Sequence, residues 1–221
     1  MIIAIDGPAA SGKSTVAREV AKRLHFDYLD TGAMYRAVTW QALEQKVDVF
    51  DEAALKALAR RIPIRFERSP GSEIDDRVFV GETDVTSAIR SPKVSSMVSL
   101  VARAAGVRRV MVERQRVLAD EKDSVVEGRD IGTVVFPYAE VKVFLTASAG
   151  ERARRRSMEM QEEGHCVNVQ SLERELISRD MVDSQRRSGP LMRACDARIL
   201  NTTDKSVDEV VDEIVRLYEE E

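Results

Sequence analysis

Gly7-Pro8-Ala9-Ala10-Ser11-Gly12-Lys13-Ser14 sets two glycines, a lysine and a hydroxyl in the spacing G-x-x-x-x-G-K-[ST]. The run follows a short apolar segment, Ile2–Asp6, and leads into a helical pattern over Lys13–Leu24, with Val16, Ala17, Val20 and Leu24 on one stripe. Each residue type has a use in gripping a polyphosphate. Glycines let the backbone curl until its N–H groups converge on phosphate oxygens. The helix that follows turns its positive end toward the anion. The lysine reaches the β- and γ-phosphates, and the hydroxyl can hold Mg²⁺. Gly7, Pro8, Ala9, Ala10, Ser11, Gly12, Lys13, Ser14 and Thr15 are therefore expected to bind ATP, with Ser14 on the metal. A Gly-rich turn with an accidental Lys-Ser is the plain alternative, and the correct flanks on both sides argue against it. No Asn-Lys-x-Asp run of the guanine-reading kind occurs, which weakens a GTP-switch reading.

Four further segments carry charged or hydroxyl groups in suggestive spacing. In Asp30-Thr31-Gly32-Ala33-Met34-Tyr35-Arg36, Thr31 and Tyr35 are four apart and share a helical face, with Arg36 beside them. Glu127-Gly128-Arg129-Asp130-Ile131-Gly132-Thr133 follows the apolar pair Val125-Val126, and in parallel α/β sheets ligands gather beyond the carboxyl ends of strands. Arg179, Asp183 and Arg186 fall on one face of a polar helix, although such spacing is often only a surface ion pair worth a few tenths of a kcal/mol. Arg152, Arg155 and Arg156 share a face of the run that opens at Glu151, either as a lid over the donor or as an ordinary solvated face.

The elements needed to hold these groups alternate between strand and helix. Strands are expected at Ile2–Asp6, Val125-Val126, Val141–Leu145 and Ala197–Leu200. Helices are expected from Thr31, as cap, to about Gln45, from Asp51 to about Arg61, and over Pro92–Ala104, Val107–Ala119, Glu151–Glu163 and Val169–Arg187. A last amphipathic helix runs through Tyr218 behind the capping box Ser206-x-x-Glu209. Ile64, Phe66, Val78 and Val80 alternate with polar residues across Ser69-Pro70-Gly71-Ser72, which predicts a small inserted antiparallel sheet within Ile62–Val85. The order, with the phosphate loop after the first strand, implies an α/β, three-layer P-loop NTPase fold around a central parallel sheet, with a β-containing insert.

Composition bounds the rest. The 221 residues suit a single domain at roughly 150 residues per domain as a soft prior. With 43% hydrophobic and 33% charged residues the chain is not of a disordered type. Asp6 interrupts the first apolar run, so no signal peptide is expected, and no segment nears the ~18 apolar residues of a membrane span. Cys166 and Cys195 fit neither a disulfide scaffold nor a metal-ligand spacing, which points to a reducing, cytoplasmic compartment. His25, His165 and Trp40 lie near no ligand set. Lys and Arg total 34 against 38 acids, a net charge of −4, so a nucleic-acid polymer is not an expected partner. The acidity is concentrated in Asp204–Glu221, which holds 8 acids and 2 bases. Of the bases 26 are Arg and 8 are Lys, an excess that suits bidentate recognition of phosphate, or simply reflects surface preference. Nothing demands an oligomer, and a monomer is expected.

Together these segments resemble the bacterial cytidylate kinase family of nucleoside monophosphate kinases. The matching stretches are Ile5–Ser14, Leu29–Arg36, Arg114-Gln115-Arg116, Glu127–Pro137, Lys142–Leu145, Glu151–Arg156 and Arg179–Leu191, which together span nearly the whole chain. Only the phosphate loop is specific alone; the joint order is highly specific. The resemblance implies transfer of a phosphoryl group from ATP to CMP or dCMP with Mg²⁺. It also implies that Thr31, Tyr35, Arg36, Ser99, Arg108, Arg129, Asp130, Arg179, Asp183 and Arg186 surround the acceptor nucleotide. Lys13, Arg129, Arg152, Arg155 and Arg156 would serve the transfer itself. Residues 31–110 would form the monophosphate-binding region, with its insert at 62–90, and residues 150–187 the lid. Glu127 departs from the Asp of many relatives, and Thr31 stands where Ser also occurs; both keep the functional group.

The assignment is chemically consistent. Cytosine offers an amino donor at N4 and acceptors at N3 and O2, which Asp130 on one side and Arg108 and Ser99 on the other would match. Uracil reverses the polarity at N3 and position 4 and would leave Asp130 facing an acceptor, at a cost of about 1–3 kcal/mol or more. CMP is expected over UMP. The alternatives are a relaxed UMP/CMP kinase and an ATP-binding regulator that transfers nothing.

Overall fold

The computed structural model describes residues 1–220 except Pro70, Glu73, Glu121, Glu163, His165 and Cys166. The expectations for His165 and Cys166, and the helix end at Glu163, lie outside the described residues. In chain order the elements are β1 (Ile2–Asp6), α1 (Lys13–Leu24), β2 (Asp27–Asp30), α2 (Thr31–Glu44) and α3 (Glu52–Arg61). Then come β3 (Ile64–Arg68), β4 (Asp75–Val80), β5 (Thr83–Asp84), α4 (Pro92–Arg103) and α5 (Ala105–Ala119). The chain continues through β6 (Ser124–Gly128), β7 (Val141–Thr146), α6 (Ala149–Glu162), α7 (Val169–Gln185), β8 (Arg198–Asn201) and α8 (Val207–Glu219).

Five strands form one sheet in the order β2-β6-β1-β7-β8, and every neighbouring pair is parallel. Parallel neighbours need crossovers, so helices cover both faces and the inner strands are apolar on both sides. In β1 the alternation survives inside that apolar run. Ala4 joins Leu29 and Val126 in a core filled from α2, α3, α4 and α5. Ile3 and Ile5 point the other way, to Val16 and Val20 of α1 and Val210 and Ile214 of α8. The result is the three-layer P-loop fold expected from the sequence. No helix among the described residues is long and apolar enough to cross a membrane.

The inserted sheet runs β3-β4-β5 and is antiparallel, with Ile64 opposite Val80 and Phe66 opposite Val78. Ile64, Val78 and Val80 bury into the α2–α5 core, which is why their spacing has period two. Asp51 caps α3, Ser91 caps α4 ahead of Pro92, and Ser206 with Glu209 closes a capping box on α8.

Three local features differ from expectation. Asp30, not Thr31, caps α2: its carboxylate accepts from Ala33 N at 2.9 Å, and the Thr31 hydroxyl instead donates to the Glu127 carbonyl at 2.7 Å. The short edge strand β2 holds only Tyr28 and Leu29 as apolar residues, too few to signal a strand by pattern. Ile131–Val135 forms a single π-helical turn after β6, closed by Phe136 N on the Ile131 carbonyl at 2.7 Å. Such turns are rare and cluster at functional sites.

Candidate active site

The phosphate loop leaves the carboxyl end of the central strand β1. Gly7 (φ +151°) passes so close to β7 that a Cβ there would strike the Leu145 carbonyl oxygen. Ala10 (φ +58°) and Gly12 (φ +90°) take left-handed conformations, which curl the loop back over the start of α1. Lys13 is buried, and its ammonium bonds the Pro8 carbonyl at 2.6 Å. Burial, reinforced by Arg129, pushes the Lys13 ammonium well below its ordinary range, while Glu127, Asp6 and Asp180 oppose this. An anion in the loop would act in the same sense as those carboxylates.

Two carboxylates end the strands beside the loop. Glu127, at the end of β6, accepts from the Ser14 hydroxyl at 3.0 Å and from the Tyr28 hydroxyl. Burial and then Asp30 push Glu127 upward. Asp6, at the end of β1, accepts from Ile131 N and Gly132 N, each at 2.8 Å, and burial raises it to about 6. Sequence reasoning gave neither residue a role on the donor side. The available signal was an acidic residue closing an apolar strand.

A cavity of about 530 Å³ runs from Lys13 and Ser14 to Arg108 and Asp130. At its far end Arg108 is fully buried, pairs with Asp130 and lies 5.3 Å over the Tyr35 ring. Arg186 stands 3.6 Å from both Asp130 and Asp183, and Arg129 Nε bonds Asp183 at 3.2 Å. Arg36 reaches the Ile89 carbonyl at 3.1 Å and Ser95 Oγ at 2.8 Å. Ser99 and Arg179 complete the wall. Gly189 (φ +55°) was missed by sequence reasoning; a Cβ there would collide with the Asp130 carboxylate and the Arg108 guanidinium.

The electrostatics of this wall favour an anion. Burial and then Arg179 hold Arg36 down at about 9. Arg179 is lowered by burial and then Arg129, and Arg186 by burial and then Arg108. Guanidiniums that crowd one another out of water are relieved by a phosphate. Arg108 Nε and Arg179 Nε are buried without a hydrogen-bond partner among the described residues, so each has a free hydrogen-bonding position.

Arg152, Arg155 and Arg156 of α6 diverge. Arg156 lines the cavity and pairs with Glu159 at 2.8 Å. Arg152 donates to the Ala9 carbonyl at 3.0 Å and pairs with Asp180. Arg155 bonds Glu151 at 2.8 Å and Thr202 Oγ1 at 2.9 Å. α6 lies along the flank of the loop, so one helical face serves three neighbours.

The sequence pattern of the cytidylate kinase family matches residues 3–220. The chain belongs to the cytidylate kinase family. This kinase is 49% identical over 219 residues to the cytidylate kinase of Bacillus licheniformis, covering 99% of this chain and 96% of that one. It is 50% identical over 218 residues to the cytidylate kinase of Geobacillus sp. (strain WCH70), with coverage of 99% and 96%. In Synechococcus sp. (strain JA-3-3Ab) the relative is a bifunctional pantoate ligase/cytidylate kinase, 48% identical over 217 residues, 98% of this chain and 40% of that protein. Among solved structures, the shikimate kinase of Bacteroides thetaiotaomicron superposes with a TM-score of 0.50 at 13% identity, covering 99% and 98% of the two chains, and so shares the fold.

Within this kinase the structure brings Thr31, Tyr35, Arg36, Ser99, Arg108, Arg129, Asp130, Arg179, Asp183 and Arg186 to one cavity with Ala9, Ala10, Gly12, Lys13, Ser14, Thr15 and Arg156. Gly7, Pro8, Ser11, Arg152 and Arg155 stand outside the cavity wall. Arg18 and Arg90, which sequence reasoning did not single out, also line it.

Proposed function

We propose that this kinase transfers the γ-phosphoryl group of ATP to CMP and dCMP, giving ADP and CDP or dCDP. The observation that carries the reading is the buried Asp130, held between Arg108 and Arg186 at the end of a cavity that begins at Lys13 and Ser14. A carboxylate that deep accepts the cytosine amino group, and Arg108 and Ser99 donate to N3 and O2. Arg36, Arg129 and Arg186 hold the acceptor phosphate, and Asp183 with Arg179 meets the sugar hydroxyls.

In the transfer, an oxygen of the CMP phosphate bonds to the γ-phosphorus as the bond to the β–γ bridging oxygen breaks, and ADP leaves. The acceptor is already an anionic oxygen, so no strong base is required. Positioning and stabilisation of spreading charge do the work. Lys13 and the loop N–H groups hold the donor, while Arg156 and Arg129 face the region between the two nucleotides. Magnesium would be held by Ser14 and Glu127, whose paired oxygens suit a hard cation that also takes phosphate oxygens and water. Bound there, it neutralises charge on the β- and γ-phosphates. Residues 31–110 with the insert at 62–90 serve as the monophosphate-binding region, and 150–187 as the lid that excludes water. The reading is of a monomeric kinase in a reducing, cytoplasmic compartment, which the two cysteines of the sequence fit.

The test is ADP release with CMP, dCMP, UMP and AMP in turn. Turnover with CMP and dCMP well above UMP is expected. No monophosphate-dependent turnover would overturn the reading; a stronger AMP response would overturn the base assignment and leave the fold untouched.

A further inference from the structure

The tip of the phosphate loop is held by α7, the helix that also carries acceptor-side residues. Asp180 Oδ1 accepts from Ala9 N at 3.1 Å. Arg152, nearly buried at the start of α6, donates to the Ala9 carbonyl at 3.0 Å and pairs with Asp180 Oδ2. One ion pair therefore binds both the N–H and the C=O of a residue at the loop tip. Beneath it Ala9 packs with Ala153 of α6 and with Leu172 and Leu176 of α7. The immediate neighbours of Asp180 on α7 face the other substrate: Arg179 and Asp183 line the cavity, and Asp183 meets Arg129 at 3.2 Å and Arg186 at 3.6 Å.

We propose that Asp180 is a positioning residue that ties the donor loop to the acceptor-binding face of α7, so that binding of each nucleotide strengthens binding of the other. The proposal rests on the phosphoryl-transfer reading above and adds a mechanism of coupling to it. An acceptor nucleotide that draws Arg179 and Asp183 into place fixes the rotation of α7. Through Asp180 that rotation fixes the Ala9 peptide and hence the curl of the loop. A nucleotide in the loop fixes the same elements from the other side. Linkage requires the two effects to be equal in binding free energy. Asp180 touches neither nucleotide in this scheme, and it acts through Ala9 and Arg152.

The experiment is calorimetric titration of CMP into the full-length kinase, alone and saturated with a non-hydrolysable ATP analogue, and the reverse titration. In the parent protein the second nucleotide is expected to bind at least about fivefold tighter in the presence of the first, equally in both orders. In Asp180→Ala the enhancement is expected to fall to within about twofold of none, with the affinity for CMP alone nearly unchanged. Asp180→Asn, which keeps the shape but loses the charge on Arg152, is expected to lose most of the enhancement and provides the same readout if the alanine variant fails to fold. Full enhancement in a folded Asp180 variant overturns the proposal, as does its absence in the parent. Absence of CMP binding to the parent overturns the functional reading itself, a result distinct from either.

Discussion

The Ser14 hydroxyl donates to the Glu127 carboxylate at 3.0 Å, joining the start of α1 to the end of β6. The two are 113 residues apart in the chain, and the parallel pairing of β1 with β6 brings them together. A cation held by both oxygens needs Glu127 ionised, whereas burial and then Asp30 push its carboxyl upward. Glu127→Gln is therefore expected to raise the Mg²⁺ concentration for half-maximal turnover about 10- to 100-fold. The free variant should melt no lower than the parent, since a neutral amide carries no burial penalty for charge. Rates across a Mg²⁺ titration, with a thermal melt of each free protein, check both parts; an unchanged Mg²⁺ dependence would remove Glu127 from the site.

Asp130 tests the base-reading argument. Asp130→Asn removes the formal charge and presents an N–H where cytosine also has one. The expected result is a kcat/KM for CMP lower by about 10- to 100-fold and a higher ratio of UMP to CMP use. The affinity for the ATP analogue should stay close to the parent value. Equal losses for both monophosphates and for ATP would point to general disruption around Arg108 and Arg186 instead.

Much of this site was legible in the sequence because its signals are local. The phosphate loop carries its own flanks, and Asp51, Ser91-Pro92 and the Ser206–Glu209 box each announce a helix start within four residues. The missing parts depend on tertiary pairing. Nothing near Ser14 reveals Glu127, and Thr31 looked like a cap because its bond to the Glu127 carbonyl crosses the sheet. Helical spacing put Arg152, Arg155 and Arg156 on one face, yet a long guanidinium side chain can turn to the loop, to Thr202 or to the cavity from that face. Gly189 was invisible because the Asp130 and Arg108 side chains that a Cβ there would strike are distant in sequence.

Gly189 yields a prediction of its own. A methyl group there meets the Asp130–Arg108 pair and a left-handed backbone, which costs a non-glycine residue about 1–2 kcal/mol. Gly189→Ala is expected to weaken CMP binding at least about tenfold while leaving the ATP analogue within about twofold. Calorimetry on both ligands separates the two effects. Parallel losses would show that the turn supports the whole fold rather than the acceptor end.

Asp6 makes stability depend on pH. Burial raises it from 3.8 to about 6, although Ile131 N and Gly132 N favour the charged form. The folded protein thus holds the proton more tightly than the unfolded chain. Its contribution to stability is full below about pH 4 and is lost as the pH rises through about 6. Asp6→Asn stays neutral throughout, so the stability difference between variant and parent should shift in favour of the variant on going from about pH 4.5 to about pH 7.5, by on the order of 2–3 kcal/mol. Urea unfolding of the free proteins at the two pH values measures this. A difference that does not change with pH would mean that Asp6 titrates near its ordinary value.

The divergence of the α6 arginines separates two variants that sequence spacing treats alike. Arg156 faces the cavity and is tied only to Glu159 among the described ion pairs, so its guanidinium can meet charge that develops between the nucleotides. Arg155 is held by Glu151 and by Thr202 beside the loop, so its contribution is to the donor end. Removing a donor that acts on transition-state charge costs about 10²- to 10³-fold in kcat. Arg156→Ala is expected to show a loss of that order with CMP affinity little changed. Arg155→Ala is expected to act mainly on the KM for ATP, with a smaller fall in kcat. Steady-state kinetics with each substrate varied in turn decides the point, and equal kcat losses in the two variants would mean that Arg155 leaves Thr202 and enters the cavity during turnover.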